Sequence, residues 1–147
     1  PSAKIAVLSN STMLDKEEVF EALCKVDDNI MKLDSVLDSR IRQIDNPNKP
    51  GFCFDKLLKN LCRFHGKVII QTMFLRGEKD GVKVDNTTEE EITGWLDALK
   101  KINPNQVMIY TIDRETPLKT LYKVSKEDLD AIAERAREMG FQVSVSY

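Results

Sequence analysis

"IMKLDS", residues Ile30 to Ser35, reads as a short buried strand carrying two charges, Lys32 and Asp34. Side chains alternate across a strand, so both ionised groups leave on one face, two residues apart. A charge taken out of water needs a partner or must be neutralised. These two therefore serve either a polar site at the strand end or a buried network with neighbouring strands, and the six residues alone leave both open.

Working outward, the chain alternates strand and helix patterns. Before this stretch, Lys4 to Leu8, "KIAVL", is a β-branched run ending in a turn-like "SNST". Asp15 with Glu18 resembles a capping box, opening a helix that buries Val19, Phe20, Leu23 and Val26. After it, a helical turn is expected around Ser39 to Ile44, and "NPNKPG" breaks regular structure. Leu57, Leu58 and Leu61 mark an amphipathic helix from Phe54 to Phe64, stopped by Gly66. "KVIIQTMF", Lys67 to Phe74, is a third strand, and "RGEKDGVKVDN" after it is expected to be a mobile loop. Thr88 with Glu91 caps a helix burying Ile92, Trp95, Leu96 and Leu99, closed by Pro104. "VMIYTI", Val107 to Ile112, leads into "DRETP". Ser125 caps the last helix, Gly140 ends it, and "FQVSVSY" is a fifth strand. This order predicts parallel strands joined by right-handed crossovers, in one domain of the α/β class. An open doubly wound sheet and part of a barrel both satisfy it.

The 147 residues are enough for one core, and 41% apolar with 31% charged residues is ordinary for a globular domain. A net charge of −2 gives no electrostatic case for nucleic acid or an anionic membrane. No apolar run reaches the roughly 20 residues of a membrane helix. Neither a Walker loop nor a Gly-x-Gly-x-x-Gly fingerprint is present. Cys24, Cys53 and Cys62 are odd in number and fit no compact metal motif, and Cys24 and Cys62 read as small hydrophobes in helices. A reducing, cytoplasmic setting is expected.

Parallel strands collect ligand groups at their carboxyl ends. Here those ends carry Ser9 and Asn10, Lys32 and Asp34, Gln71, and Tyr110, Thr111 and Asp113. Four polar ends together suggest one shared site. His65, the single histidine, is expected to cap helix carbonyls beside Gly66, and Glu89 to Glu91 to complement a helix N-terminus. Arg114 either clamps an anionic group or pairs with Glu115.

"VLSNSTML", "IMKLDSV", "VIIQTMFLRG" and "VMIYTIDRETP" resemble, in order and spacing, the later strands of radical S-adenosylmethionine (radical SAM) enzymes. The match is to the iron–sulfur oxidoreductase branch that shares the barrel of pyruvate formate-lyase activating enzyme. The resemblance implies a parallel-stranded partial (βα) barrel, half of a TIM-like barrel. The parent would hold a 4Fe–4S cluster and cleave S-adenosylmethionine reductively to a 5′-deoxyadenosyl radical. Ser9-Asn10-Ser11 resembles the family's Thr-Asn-Gly-like turn without its glycine. Lys32 and Asp34 fall where the fourth family strand faces the cofactor's ribose and amino-acid part, lysine being a departure. Gln71 falls near the cofactor carboxylate, and Tyr110 to Asp113 where the sixth strand lines the adenine.

The family's three cysteines, spaced by three and two residues, have no counterpart in this sequence. The resemblance therefore implies a carboxyl-terminal half, 1–147, whose partner is an amino-terminal half bearing the cluster. The fragment alone is expected to be inactive and to self-associate through the edge of its first strand. The start at Pro1, without an initiator Met, fits that expectation. Two alternatives are a stand-alone α/β module binding a ligand or protein, and a metal-independent enzyme using Asp34, Lys32 and Asp113 as acid and base.

Overall fold

A computed structural model describes residues 4–9, 11, 13–45, 53–79, 81–112 and 121–147. Its elements run β1 (Ala6–Ser9), α1 (Glu17–Cys24), β2 (Asp28–Lys32), α2 (Asp38–Asp45), α3 (Phe54–Cys62), β3 (Ile69–Lys79), β4 (Val82–Lys83), α4 (Glu89–Ile102), β5 (Gln106–Thr111), β6 (Leu121–Lys123), α5 (Lys126–Glu138) and β7 (Val143–Ser146).

Five parallel strands lie in the order β1-β2-β3-β5-β7, so spatial order follows chain order without a reversal. That settles the choice left by the sequence. A doubly wound sheet must reverse direction somewhere, whereas strands added always on one side by right-handed crossovers send every helix to the same face. Burial agrees. Met31, Ile70, Val107 and Ile109 point to the helices and are at most 1% exposed, packed with Leu61, Trp95, Leu99 and Leu129. Their neighbours Ile30, Ile69, Met108 and Tyr110 alternate to the other face and are only half-buried. Leu8, at the β1 edge of that face, is 58% exposed. The domain is a parallel-stranded half-barrel with one face covered and one open.

Local chemistry explains most boundaries. Thr88 Oγ1 accepts from the Glu91 amide and Ser125 Oγ from the Asp128 amide, satisfying orphan donors of α4 and α5. Asn103, at φ 52°, ends α4 in the left-handed conformation. Gly66 must be glycine: its φ is 85°, and a Cβ there would stand 2.9 Å from the Asn103 carbonyl oxygen.

The structure corrects several sequence readings. Asp15 does not cap α1, whose N-cap is Lys16 without a side-chain bond, and its carboxylate instead accepts from Asn60 Nδ2. His65 closes α3 through its backbone, its amide donating to the Cys62 carbonyl. Cys24 is exposed rather than a core hydrophobe. Most consequential, the expected loop "RGEKDGVKVDN" begins as the extension of β3 to Lys79 and returns as β4, and β3 pairs antiparallel with β4 and with β6.

Candidate functional site

The carboxyl end of β2 organises the site. The β2–β3 ladder ends where Lys32 pairs with Gln71, and the Leu33 amide donates once more to the Gln71 carbonyl. Beyond that point the Met73 amide, on the side facing β2, has no strand to meet. Asp34 Oδ1 accepts from it at 2.8 Å. Asp34 Oδ2 lies 3.2 Å from Lys32 Nζ, with the aspartate side chain fully buried and the lysine 22% exposed. The carboxylate thus replaces a missing strand and neutralises the neighbouring ammonium, which is how two charges share one strand end.

Register places the other sequence candidates. Lys32, Gln71 and Met108 stand in one row of the open face, and Met73 and Tyr110 in the next row toward the carboxyl ends. A shallow cavity of about 220 Å³ lies there, lined by Gln71, Met108, Tyr110, Ser146 and Tyr147 among others. Lys32, Asp34, Gln71 and Tyr110 therefore gather at the carboxyl rim of the open face. Thr111 also borders that cavity, but its side chain, like that of Ser9, turns to the covered face by alternation. Ser9 Oγ accepts from the Ser11 amide, and Thr111 Oγ1 bridges the Phe74 carbonyl and the Val124 amide. Asn10, Asp113 and Arg114 lie outside the described residues. Ser11 holds the place of the missing glycine with a glycine-like φ of 72°, and its hydroxyl donates to the Lys32 carbonyl.

Behind the rim is a polar lattice that sequence reasoning missed. Asn86, 1% exposed, donates from Nδ2 to the carbonyls of Asp34 (2.8 Å) and Met73 (2.7 Å), while its Oδ1 accepts from the Leu75 amide. Ser35 leaves on the helix side, donating its hydroxyl to both Glu91 oxygens at 2.7 and 3.0 Å. Arg40 Nε stands 4.0 Å from Glu91, and its Nη1 donates to the Lys83 carbonyl. Burial pushes the Glu91 carboxyl above the usual range, against the lowering effects of the Ser35 bond and Arg40, with Glu90 and Asp85 adding to the rise. Gly94 lets α4 approach this closely, since a Cβ there would meet Val36 Cγ2 at 2.5 Å. The one usable signal in the sequence was Asp80-Gly81, a dipeptide suited to a hairpin whose return would bring Asn86 back beside β3.

A larger cavity, about 630 Å³, lies at the opposite ends of the strands, beside Asp28, Asn29, His65 and Gln106. The Asn29 amide there is buried and without a hydrogen bond. Parallel strands present their ligand groups at carboxyl ends, so the smaller rim cavity is the better candidate. The three cysteines are free and lie apart, on or beside different helices, Cys24 in α1, Cys53 before α3 and Cys62 at its end. Among the described residues no three His, Cys, Asp or Glu side chains are grouped to hold a metal ion. Nor is any described helix long and apolar enough to cross a membrane.

The fold is that of radical SAM enzymes, which bears out the resemblance read from the sequence. The chain overlays 97% of its length on a radical SAM methyltransferase from Sphaerobacter thermophilus (TM-score 0.70, 16% identity, 40% of that chain). It matches a domain of pyruvate-formate lyase-activating enzyme from Bacteroides vulgatus over 97% of its own length and 80% of that chain (TM-score 0.69, 18% identity). It also matches SuiB of Streptococcus suis bound to S-adenosylmethionine over 98% of its length and 33% of that chain (TM-score 0.67, 15% identity). No protein-family model matches the chain.

Among curated proteins, the UPF0026 protein MJ1312 of Methanocaldococcus jannaschii is 32% identical over 111 residues, 73% of this chain and 32% of that protein. A second UPF0026 protein, slr1464 of Synechocystis, is 29% identical over 116 residues, 76% of this chain and 40% of that protein. GTPase Obg of Brachyspira hyodysenteriae is 25% identical over 130 residues, 86% of this chain and 18% of that protein. The chain thus spans less than half the length of the curated relatives it matches. It carries no Walker loop of its own.

Proposed function

We propose that this chain is the carboxyl-terminal part of a radical SAM barrel, and that its open face holds part of S-adenosylmethionine. The observation carrying this reading is the meeting of Lys32, Asp34, Gln71 and Tyr110 at the carboxyl rim of the one uncovered face. The rim suits a ligand that is part zwitterion and part aromatic base. Lys32 and Gln71 offer donors to a carboxylate and hydroxyls. Asp34, its side chain buried, holds Lys32 in place at the rim. Tyr110 and Met108 give a flat, polarisable wall for a base, and Asn10 and Asp113 are proposed to complete the lining.

Bound S-adenosylmethionine supplies a sulfonium whose one-electron reduction by a 4Fe–4S cluster is the source of radical chemistry in this class. The thiols of this chain do not fit that cluster, being spread over separate positions. We place the cluster ligands in an amino-terminal barrel half that packs along β1, whose outer edge carries Ile5, 60% exposed, and Leu8. Without that half, the 147-residue chain forms no 5′-deoxyadenosine, and the same β1 edge pairs it with a second copy. A cytoplasmic oxidoreductase is the parent this implies.

The test is titration of the 15N-labelled chain with S-adenosylmethionine. Shifts concentrated at the backbone amides of Lys32, Gln71, Met73 and Tyr110 are expected. Saturable shifts confined to Asn29, His65 and Gln106, or none at millimolar ligand, would overturn the reading.

A further inference from the structure

Asp34 lies buried beneath the open rim, ion-paired with the partly exposed Lys32, and its position is not fixed by its own strand, which ends at Lys32. Two tethers hold it, Asn86 from the segment between β4 and α4 and Glu91 from the first turn of α4. Asn86 spends both its amide hydrogens on the carbonyls of Asp34 and Met73, the two residues joined by the carboxylate–amide contact. Glu91 takes the hydroxyl of the next residue, Ser35, from the helix side. Asp34 is thus gripped through its backbone carbonyl and Ser35 through its hydroxyl, across 52 and 56 residues of chain. Neither Asn86 nor Glu91 reaches the open face, being 1% and 3% exposed.

We infer that Asn86, backed by Glu91 through Ser35, is a positioning residue that sets Asp34, and through it Lys32, for the ligand. This rests on the cofactor reading above. A buried side-chain amide with both hydrogens and its oxygen in use on three backbone groups, one just past the end of β2 and two within β3, fixes their separation, which a ladder would otherwise do. The identity of the residue matters: aspartate at 86 would lose both donors and face two carbonyls, and glutamine would overshoot them. The segment carrying Asn86 follows the β3–β4 hairpin directly, so the geometry at Asp34 answers to that hairpin as well as to the sheet.

The experiment uses the 147-residue chain with Asn86→Ala, Glu91→Ala, Glu91→Gln and, as a control, Asn29→Ala, which removes a buried asparagine at the opposite end. Two quantities are read below each variant's unfolding transition: S-adenosylmethionine affinity, and the Met73 amide shift without ligand, which reports the bond to Asp34. Asn86→Ala is expected to move the Met73 amide upfield and weaken binding about tenfold. Glu91→Ala acts in the same direction. Glu91→Gln, which keeps an acceptor for Ser35, restores most of the affinity, and Asn29→Ala leaves both quantities at wild-type values. If Asn86→Ala does not fold, the contrast between Glu91→Ala and Glu91→Gln carries the test. An unmoved Met73 amide with unchanged affinity in Asn86→Ala, or equal behaviour of the two Glu91 variants, overturns the inference. A wild-type chain that binds no S-adenosylmethionine while Asn86→Ala still shifts Met73 defeats the cofactor reading and leaves Asn86 as the residue that positions Asp34.

Discussion

The two faces of the sheet are built from the same strands yet follow different rules. On the covered face, Met31, Ile70 and Val107 are sealed by helices, and Thr72 is matched on both sides: its Oγ1 donates to the Leu33 carbonyl and accepts from Trp95 Nε1 at 2.9 Å. On the open face, Leu8, Ile30, Ile69 and Met108 mix with Lys32, Gln71 and Tyr110, and none is fully buried. The covered face is chosen for packing. The open face keeps apolar walls beside charge, which costs stability in an isolated domain and suits a face that receives something.

Adjacent residues of β3 give the sharpest way to break this contrast. Ile70 is fully buried and Ile69 only half-buried on the opposite side. Ile70→Ala is expected to cost about 2–5 kcal/mol, from lost transfer energy and the cavity left behind. Ile69→Ala should cost about 1 kcal/mol or less. Urea unfolding at low protein concentration measures both. Equal costs would mean that the open face is covered in solution, and sedimentation of the same samples would show whether a second copy covers it.

The next largest effect lies at the two ends of β2. Asp34→Ala strands the Met73 amide and leaves Lys32 without its carboxylate, at an expected cost of about 2–3 kcal/mol. Asp28→Ala, at the amino end of the same strand, should change stability by less than about 0.5 kcal/mol. Similar costs at both ends would remove the claim that the carboxyl tip is a built site.

The same alternation that makes these tests possible also marks what the sequence could and could not tell. The shared face of Lys32 and Asp34 was legible because period two is intrinsic to a strand. By the same rule the side chains of Tyr110 and Thr111 leave on opposite faces, although both residues border the rim cavity. The expectation that they act together followed the polarity of the strand ends and not the alternation within the strand, and Thr111 Oγ1 bridges the Phe74 carbonyl and the Val124 amide. The helix-covered core was legible from apolar spacing, down to Trp95 and Leu99. Asn86 and Glu91 were not, because their burial is decided by chain more than 50 residues away. In sequence, Asn86 ends a polar run, and Glu91 is the third of three glutamates suited to any helix start.

Glu91 offers the smallest and most specific test, since it is the charge that the covered side tolerates. Its neighbours Glu89 and Glu90 are exposed, and Glu89 is held below the usual carboxylate range by the hydrogen bonds and charge of Arg135. Glu91 moves the other way because burial outweighs Ser35 and Arg40. The folded chain therefore holds a proton on Glu91 at pH values where the unfolded chain has released it. Stability from this group is greatest below the ordinary glutamate range and falls as pH rises through the raised folded value. Glu91→Gln cannot titrate. The urea midpoint of the wild type relative to Glu91→Gln should thus decline steadily as pH rises across that window, then level off. A flat difference would mean that water reaches Glu91 freely, and the contrast between a sealed helix side and an open ligand side would not extend to the rim of the sheet.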